Sequence, residues 1–184
     1  MTVTNTKSRL TTYDDYRHLP DDGKQHQIIE GQLYMTPTPG PYHQEILLNI
    51  ASPLREFIQK NNLGKLYTSP IDVILSMTDV VQPDLVFISQ ERINIITKKN
   101  IVDAPDLVVE ILSEHNEFID RTKKMSLYER HGVKEYWIVD PSAKCVEQYL
   151  LKNNTLALED TYTDSKKISS VVIGNFAFSP DCIF

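Results

Sequence analysis

The chain has 184 residues, 41% of them hydrophobic and 24% charged, with a formal net charge of −6. That length suits one domain with a real core and is short for two, so residues 12–184 are expected to form a single domain behind a flexible N-terminus at 1–11. The acidic balance argues against a protein that coats nucleic acid non-specifically, because phosphate affinity is built from clustered Lys and Arg; an enzyme with a local basic patch stays open.

No apolar stretch approaches the roughly 18 residues that cross a bilayer. The N-terminus "MTVTNTKSRLTT" is polar and has no apolar signal-like run, so nothing points to secretion. Cys145 and Cys182 show no metal-type or CxxC spacing and are expected to be two buried thiols in a reducing cytoplasm.

In chain order, "TTYDDYRHLP" predicts a short helix capped by Thr11 or Thr12 and stopped at Pro20, and "DDGK" a turn. Two strand-like runs flank Glu30 and Gly31, which predicts a hairpin leading to a Pro-rich loop. Ile46, Leu47, Ile50, Leu54, Phe57 and Ile58 recur at three and four, the period of a helix with one buried face. Pro53 should kink that helix and Gly64 should stop it.

Strands follow at "KLYT", "IDVIL", "QPDLVFIS" and "PDLVVEIL", then a helix over 117–130 stopped by Gly132, then the strand "KEYWIVD". "CVEQYLLKNNTLALE" reads as a hairpin turning at "KNN", and the remainder as a last strand with an apolar tail. Tyr136 and Trp137 read as core or interface packing.

The tetrapeptide PDLV occurs twice, at Asp84 and at Asp106. If the two strands pair antiparallel with Asp84 opposite Glu110, Asp106 falls opposite Ile88. Asp106 and Glu110 share a face of one strand but stand roughly 13 Å apart, too far for one metal ion. Asp84 and Glu110 can face each other across the strands, with Cβ atoms about 5 Å apart.

Two carboxylates so close need a proton, a cationic side chain or a hard divalent cation. Lys124 shares a helix face with Leu127 and Tyr128, so its stem could cross apolar surface to reach Glu110; Lys123 shares that face less well. A salt bridge that only fixes register remains the competing reading of the same residues.

"IIEGQLYMTPTPGPYHQEIL", "VVQPDLVFIS" and "APDLVVEILSEHNEFIDRTKKMSLYERHGVKEYWIVDP" together resemble the Uma-type putative restriction endonuclease family, abundant in cyanobacteria, within the PD-(D/E)XK nuclease superfamily. The resemblance implies an α/β restriction-endonuclease-like core, a central mixed sheet flanked by helices, with an N-terminal hairpin and a C-terminal β extension. It implies that Asp84 and Glu110 are the paired acids holding Mg²⁺ or Mn²⁺, with the Leu112 carbonyl. The superfamily lysine two residues after the second acid is replaced here by Leu112, and the family supplies Lys124 from the following helix. Asp84, Glu110 and Lys124 would thus form the catalytic set of a metal-dependent endonuclease that hydrolyses DNA.

Where relatives show "E-L-[IV]-D-G-E", this chain carries Gln27 and Gln32, amides that keep the shape and lose the charge. Glu30 and Glu45 are candidate replacements, and His43 stands where it could touch substrate or a carboxylate. DNA contacts are expected from Arg92, Lys98, Lys99, Arg121 and Lys123, and a homodimer by analogy with restriction enzymes. The amides motivate the alternative, a non-catalytic binding or interaction module in which the acids and Lys124 form a structural ion pair.

Overall fold

The computed structural model describes residues 11–19, 24–36, 38–113, 116–164 and 166–184. The expected flexible N-terminus, the stop at Pro20 and most of the "DDGK" turn lie outside these residues. Helix α1 (Tyr13–Tyr16) starts at Thr12, whose hydroxyl accepts from the Asp15 N–H while the Asp15 carboxylate accepts from the Thr12 N–H. Strands β1 (Gln25–Ile29) and β2 (Gln32–Thr36) form the expected hairpin, turning through Glu30 and Gly31 at φ 53° and 71°.

Helix α2 (Pro41–Lys60) buries Ile46, Leu47, Ile50, Leu54 and Ile58 and runs on through Pro53. Gly64 is not its stop: the helix ends at Lys60, Asn61 caps it, and Asn62 takes the left-handed turn at φ 52°. Gly64 instead opens β3 (Gly64–Thr68), where an added Cβ would lie 2.0 Å from the Ile88 carbonyl oxygen. Only glycine lets the two backbones approach that closely.

Then follow β4 (Val73–Ser76), β5 (Asp79–Val81) and β6 (Leu85–Ser89), a 3-10 turn at Gln90–Ile95, β7 (Ile101–Val102) and β8 (Leu107–Ile111). A π-helical segment, Ile119–Lys124, runs into α3 (Met125–His131), which Gly132 ends at φ 80°. β9 (Glu135–Asp140), β10 (Cys145–Lys152) and β11 (Thr155–Thr163) come next, and β12 (Ile168–Ser169) and β13 (Ala177–Phe178) close the chain.

A six-stranded sheet in the order β11-β10-β9-β8-β6-β3 is mixed, because β8 and β9 are parallel and its other pairs antiparallel. The N-terminal hairpin belongs to a second sheet, β2-β1-β5-β4-β7. The architecture is therefore the expected central mixed sheet flanked by helices, with an N-terminal hairpin and a C-terminal β extension.

Strand alternation sorts the central sheet into two faces. Leu85, Phe87, Leu107, Val109, Ile111 and Trp137 pack with α2, while Val86, Ile88, Val108, Tyr136 and Ile138 pack with Leu127 and Tyr128 of α3. Glu110 falls on the α3 face by the same alternation. Trp137 and Tyr136 are fully buried, which makes them core and not interface. Cys145 is buried, but Cys182 is exposed, contrary to the expectation of two buried thiols, because it lies in the final 3-10 turn at Pro180–Cys182.

Candidate active site

β6 and β8 pair in the expected register, Leu85 with Val109 and Phe87 with Leu107, so Asp84 sits at the end of the ladder opposite Glu110. Asp84 Oδ2 accepts the Ile111 N–H at 2.8 Å and lies 3.2 Å from His43 Nε2. His43 comes from the first turn of α2, so the Pro-rich loop and that helix deliver it over the strand ends. Burial opposes its protonation, but the hydrogen bond and charge of Asp84 outweigh this and raise its pKa above 6.5.

The second PDLV plays a different part. Asp106, at the far end of β8, accepts from the Ser89 N–H at 2.9 Å, Lys134 at 2.7 Å and Arg92 at 3.3 Å. Burial pushes its pKa up, but Lys134 and Ser89 overcome that and hold it below the usual value. It is a structural anchor, and it keeps Arg92 at the end of the sheet away from the cleft.

Lys124 Nζ lies 2.9 Å from Glu110 Oε1 and 3.0 Å from Asp120 Oδ1, and Tyr128 Oη donates to Glu110 Oε1 at 2.6 Å. Glu110, Asp120 and Lys124 are buried. Asp120, Lys124 and Tyr128 recur every four residues. In an α-helix such a step overshoots a full turn, whereas a wider π turn undershoots it, so the change from π to α at Lys124 keeps the three in line with Glu110.

Burial, with the charges of Asp120 and Asp84, pushes the Glu110 pKa up to about 8 against the pull of Lys124. Burial likewise raises Asp120. For Lys124 burial acts downward, but Asp120 and Glu110 prevail and hold it well above the usual lysine value, so it stays an ammonium.

Because the folded pKa of Glu110 exceeds its ordinary 4.5, the stability its proton supplies is fully present below 4.5 and is lost as the pH rises through about 8. Glu110→Gln, a mimic of the protonated acid, is therefore expected to gain on wild type in urea unfolding as the pH is raised over that window. A stability difference that is flat with pH would contradict this.

His43, Asp84, Glu110, Asp120 and Lys124 line one cleft of about 360 Å³ together with Gln27 and Leu112. Gln27 accepts the Gln82 N–H at 3.2 Å, while Gln32 bonds Tyr34 away from the cleft. Glu30 pairs with Arg130 at 3.1 Å and Glu45 is exposed; neither lines the cleft. Of the expected DNA contacts, Arg121 is held by Glu117, Asp140 and Glu147, and Lys123 by Tyr34. Lys98 and Lys99 are exposed.

The structure brings Asp84, Glu110 and Lys124 to one cleft and adds Asp120, whose place four residues before Lys124 on the same helix face was a readable signal that the sequence reading did not use. Among the described residues no three Asp, Glu, His or Cys side chains converge as a preformed metal nest. The Lys124 ammonium fills the space between Glu110 and Asp120. Asp84, paired with His43, lines the same cleft, and its oxygens and those of deprotonated Glu110 are hard donors of the kind a divalent cation takes. Mg²⁺ commonly takes only one or two carboxylates and keeps several waters, so Asp84 and Glu110 fit it.

A family model described as Uma2, putative restriction endonuclease, matches residues 13–179. No curated protein matches. Among solved structures, a putative nuclease belonging to DUF820 from Anabaena variabilis is similar at 20% identity and TM-score 0.79, over 94% of this chain and 97% of that one. At that identity the likeness shows a shared fold.

Proposed function

Because the chain belongs to the Uma2 family of putative restriction endonucleases, and so to a family of nucleases, we propose that it hydrolyses DNA phosphodiester bonds at the cleft of Asp84, Glu110 and Lys124. The observation that carries this reading is the Lys124 ammonium, brought from a separate helix to within 2.9 Å of Glu110 in the cleft that Asp84 also lines. An ordinary register-fixing pair has no reason to stand there with two further carboxylates.

Asp84 and Glu110 would hold Mg²⁺ or Mn²⁺, which when bound polarises a phosphate and lowers the pKa of a water. Lys124 supplies fixed positive charge to the phosphate oxygens as negative charge develops on them. Its raised pKa makes it an electrostatic partner and hydrogen-bond donor, not a base. Asp120, 3.0 Å from Lys124, would hold the ammonium in place if Glu110 were to bind a metal ion. His43, whose protonated form Asp84 favours, orients that carboxylate and, when protonated, can hand a proton to the departing oxygen.

The enzyme would act in the cytoplasm as one domain over 12–184, and as a homodimer would present two clefts to two strands. The near-complete burial of Glu110 and Lys124 and the amide of Gln27 favour the second reading, a binding module with a closed ion pair. Plasmid incubation with Mg²⁺ or Mn²⁺ separates them. Nicking or linearisation by wild type, abolished in Glu110→Ala, supports the nuclease; no cleavage at any salt or metal concentration supports the module.

A further inference from the structure

The two acids of the cleft are each held by one oxygen only. Glu110 Oε1 takes two donors, Tyr128 Oη at 2.6 Å and Lys124 Nζ at 2.9 Å, while Oε2 has no donor among the described residues. Asp84 is divided in the same way: Oδ2 takes the Ile111 N–H and His43, and Oδ1 has no partner among the described residues. Each acid thus keeps an oxygen for a partner from outside this set.

The two donors on Glu110 Oε1 differ in kind. Lys124 is a point charge on a flexible stem, is shared with Asp120 at 3.0 Å, and offsets the very charge that a divalent cation would use. Tyr128 is neutral and rigid. An O–H donating to a carboxylate at 2.6 Å is a strong, charge-assisted hydrogen bond, and it fixes Oε1 without cancelling the charge of the acid. A carboxylate pinned at one oxygen cannot swing freely about its last bond, so the other oxygen keeps one place.

The phenol is itself held in place. Tyr128 and Tyr136 are fully buried, and their rings meet edge-on with centroids 5.1 Å apart. Tyr136 Oη donates to the Asp120 carbonyl at 3.1 Å, so the ring that braces Tyr128 also fastens the π-helical segment that carries Lys124. Packing against the sheet asks only for a ring at position 128. A buried hydroxyl is costly unless it is bonded, and the acceptor given to this one is Glu110.

We propose that Tyr128 is a positioning residue for the metal acid: its hydroxyl pins Glu110 Oε1 and so keeps Oε2, beside Asp84, ready for Mg²⁺ or Mn²⁺. The proposal rests on the nuclease reading for the metal. It adds a residue that touches neither metal nor substrate and acts only through Glu110. Outer partners of this kind change metal affinity by about 10–100-fold.

The test is calorimetric titration of Mn²⁺ into the DNA-free protein, with plasmid cleavage followed over a range of Mg²⁺ concentrations. Tyr128→Phe keeps the ring and removes the hydroxyl. It is compared with wild type and with Tyr162→Phe, which loses a hydroxyl bonded to Gln148 at 2.8 Å outside the cleft. Tyr128→Phe should bind Mn²⁺ at least about tenfold more weakly and need that much more Mg²⁺ for half-maximal cleavage, with a rate at saturating metal within about threefold of wild type. Tyr162→Phe should match wild type in both measurements. In a Glu110→Ala background the Tyr128 substitution should leave Mn²⁺ binding as it finds it, because the acid it acts through is gone. Unchanged affinity and metal requirement in Tyr128→Phe, or an equal loss in Tyr162→Phe, would overturn the positioning role and leave the nuclease standing. A wild type that neither binds Mn²⁺ nor cleaves would overturn both.

Discussion

Lys124→Ala is expected to lower DNA cleavage by about a thousandfold or more, since it removes both the cation aimed at the phosphate and the group that compensates Glu110 and Asp120. The substitution also has a structural cost. It leaves two buried carboxylates facing each other beside Asp84, and breaking a buried pair from one side costs about 3–5 kcal/mol. The two effects separate on addition of Mg²⁺. In wild type the ammonium competes for the same oxygens, so without it the metal should raise the thermal midpoint by more than in wild type. Lys124→Ala with unimpaired cleavage would remove Lys124 from the mechanism, and an equal response to Mg²⁺ in both proteins would remove Glu110 and Asp84 from the metal.

The largest effect on stability is expected from Glu135→Ala, at the start of β9. This carboxylate is fully buried. Its Oε1 accepts from Trp137 Nε1 and Gln148 Nε2, both at 2.6 Å, and its Oε2 from Ser170 Oγ at 2.9 Å and the Val171 and Val172 N–H groups at 2.9 and 3.0 Å. Those donors come from the central sheet on one side and the C-terminal extension on the other, so one side chain ties the two together. Alanine strands several buried donors at once, at about 3–5 kcal/mol in all. At about 2–4 °C per kcal/mol for a chain of this size, the thermal midpoint should fall by roughly 10 °C. Glu135→Gln should recover only part of the loss, because its amide presents donors where donors already point. A midpoint within a degree or two of wild type would mean that water replaces the carboxylate and the extension is held by its apolar contacts alone.

Much of the fold was legible because its signals are local. Period-three-and-four apolar residues gave α2, the Glu30 and Gly31 pair gave the hairpin, Gly132 gave the end of α3, and "KNN" gave the β10–β11 turn, whose Asn153 and Asn154 adopt φ 52° and 63°. Gly64 was misread for the opposite reason. A glycine after a helix looks like its stop, but here Asn61 and Asn62 end the helix and the glycine is required by the backbone of Ile88 in β6. β5 was missed because three residues, Asp79–Val81, carry too little pattern to stand apart from the run before them.

The candidate site divides along the same line. Strand period and a simple antiparallel register were enough to set Asp84 opposite Glu110 and to move Asp106 to the far end, since side chains on a strand alternate with a fixed rise. Helix period was enough to aim Lys124 at the sheet. Asp120 lay within reach of the same helix period, but the place of His43 depended on where the Pro-rich loop carries the start of α2 and the engagement of Arg121 on β9 and β10, both of them distances between segments remote in sequence. By itself the sequence determined which residues can share a face, because that follows from backbone geometry within one element. Only the tertiary structure decided which faces meet, and so placed the buried Glu110 and Asp120 on one ammonium beside Asp84, because packing and desolvation act between elements and leave no mark on the spacing of residues within one.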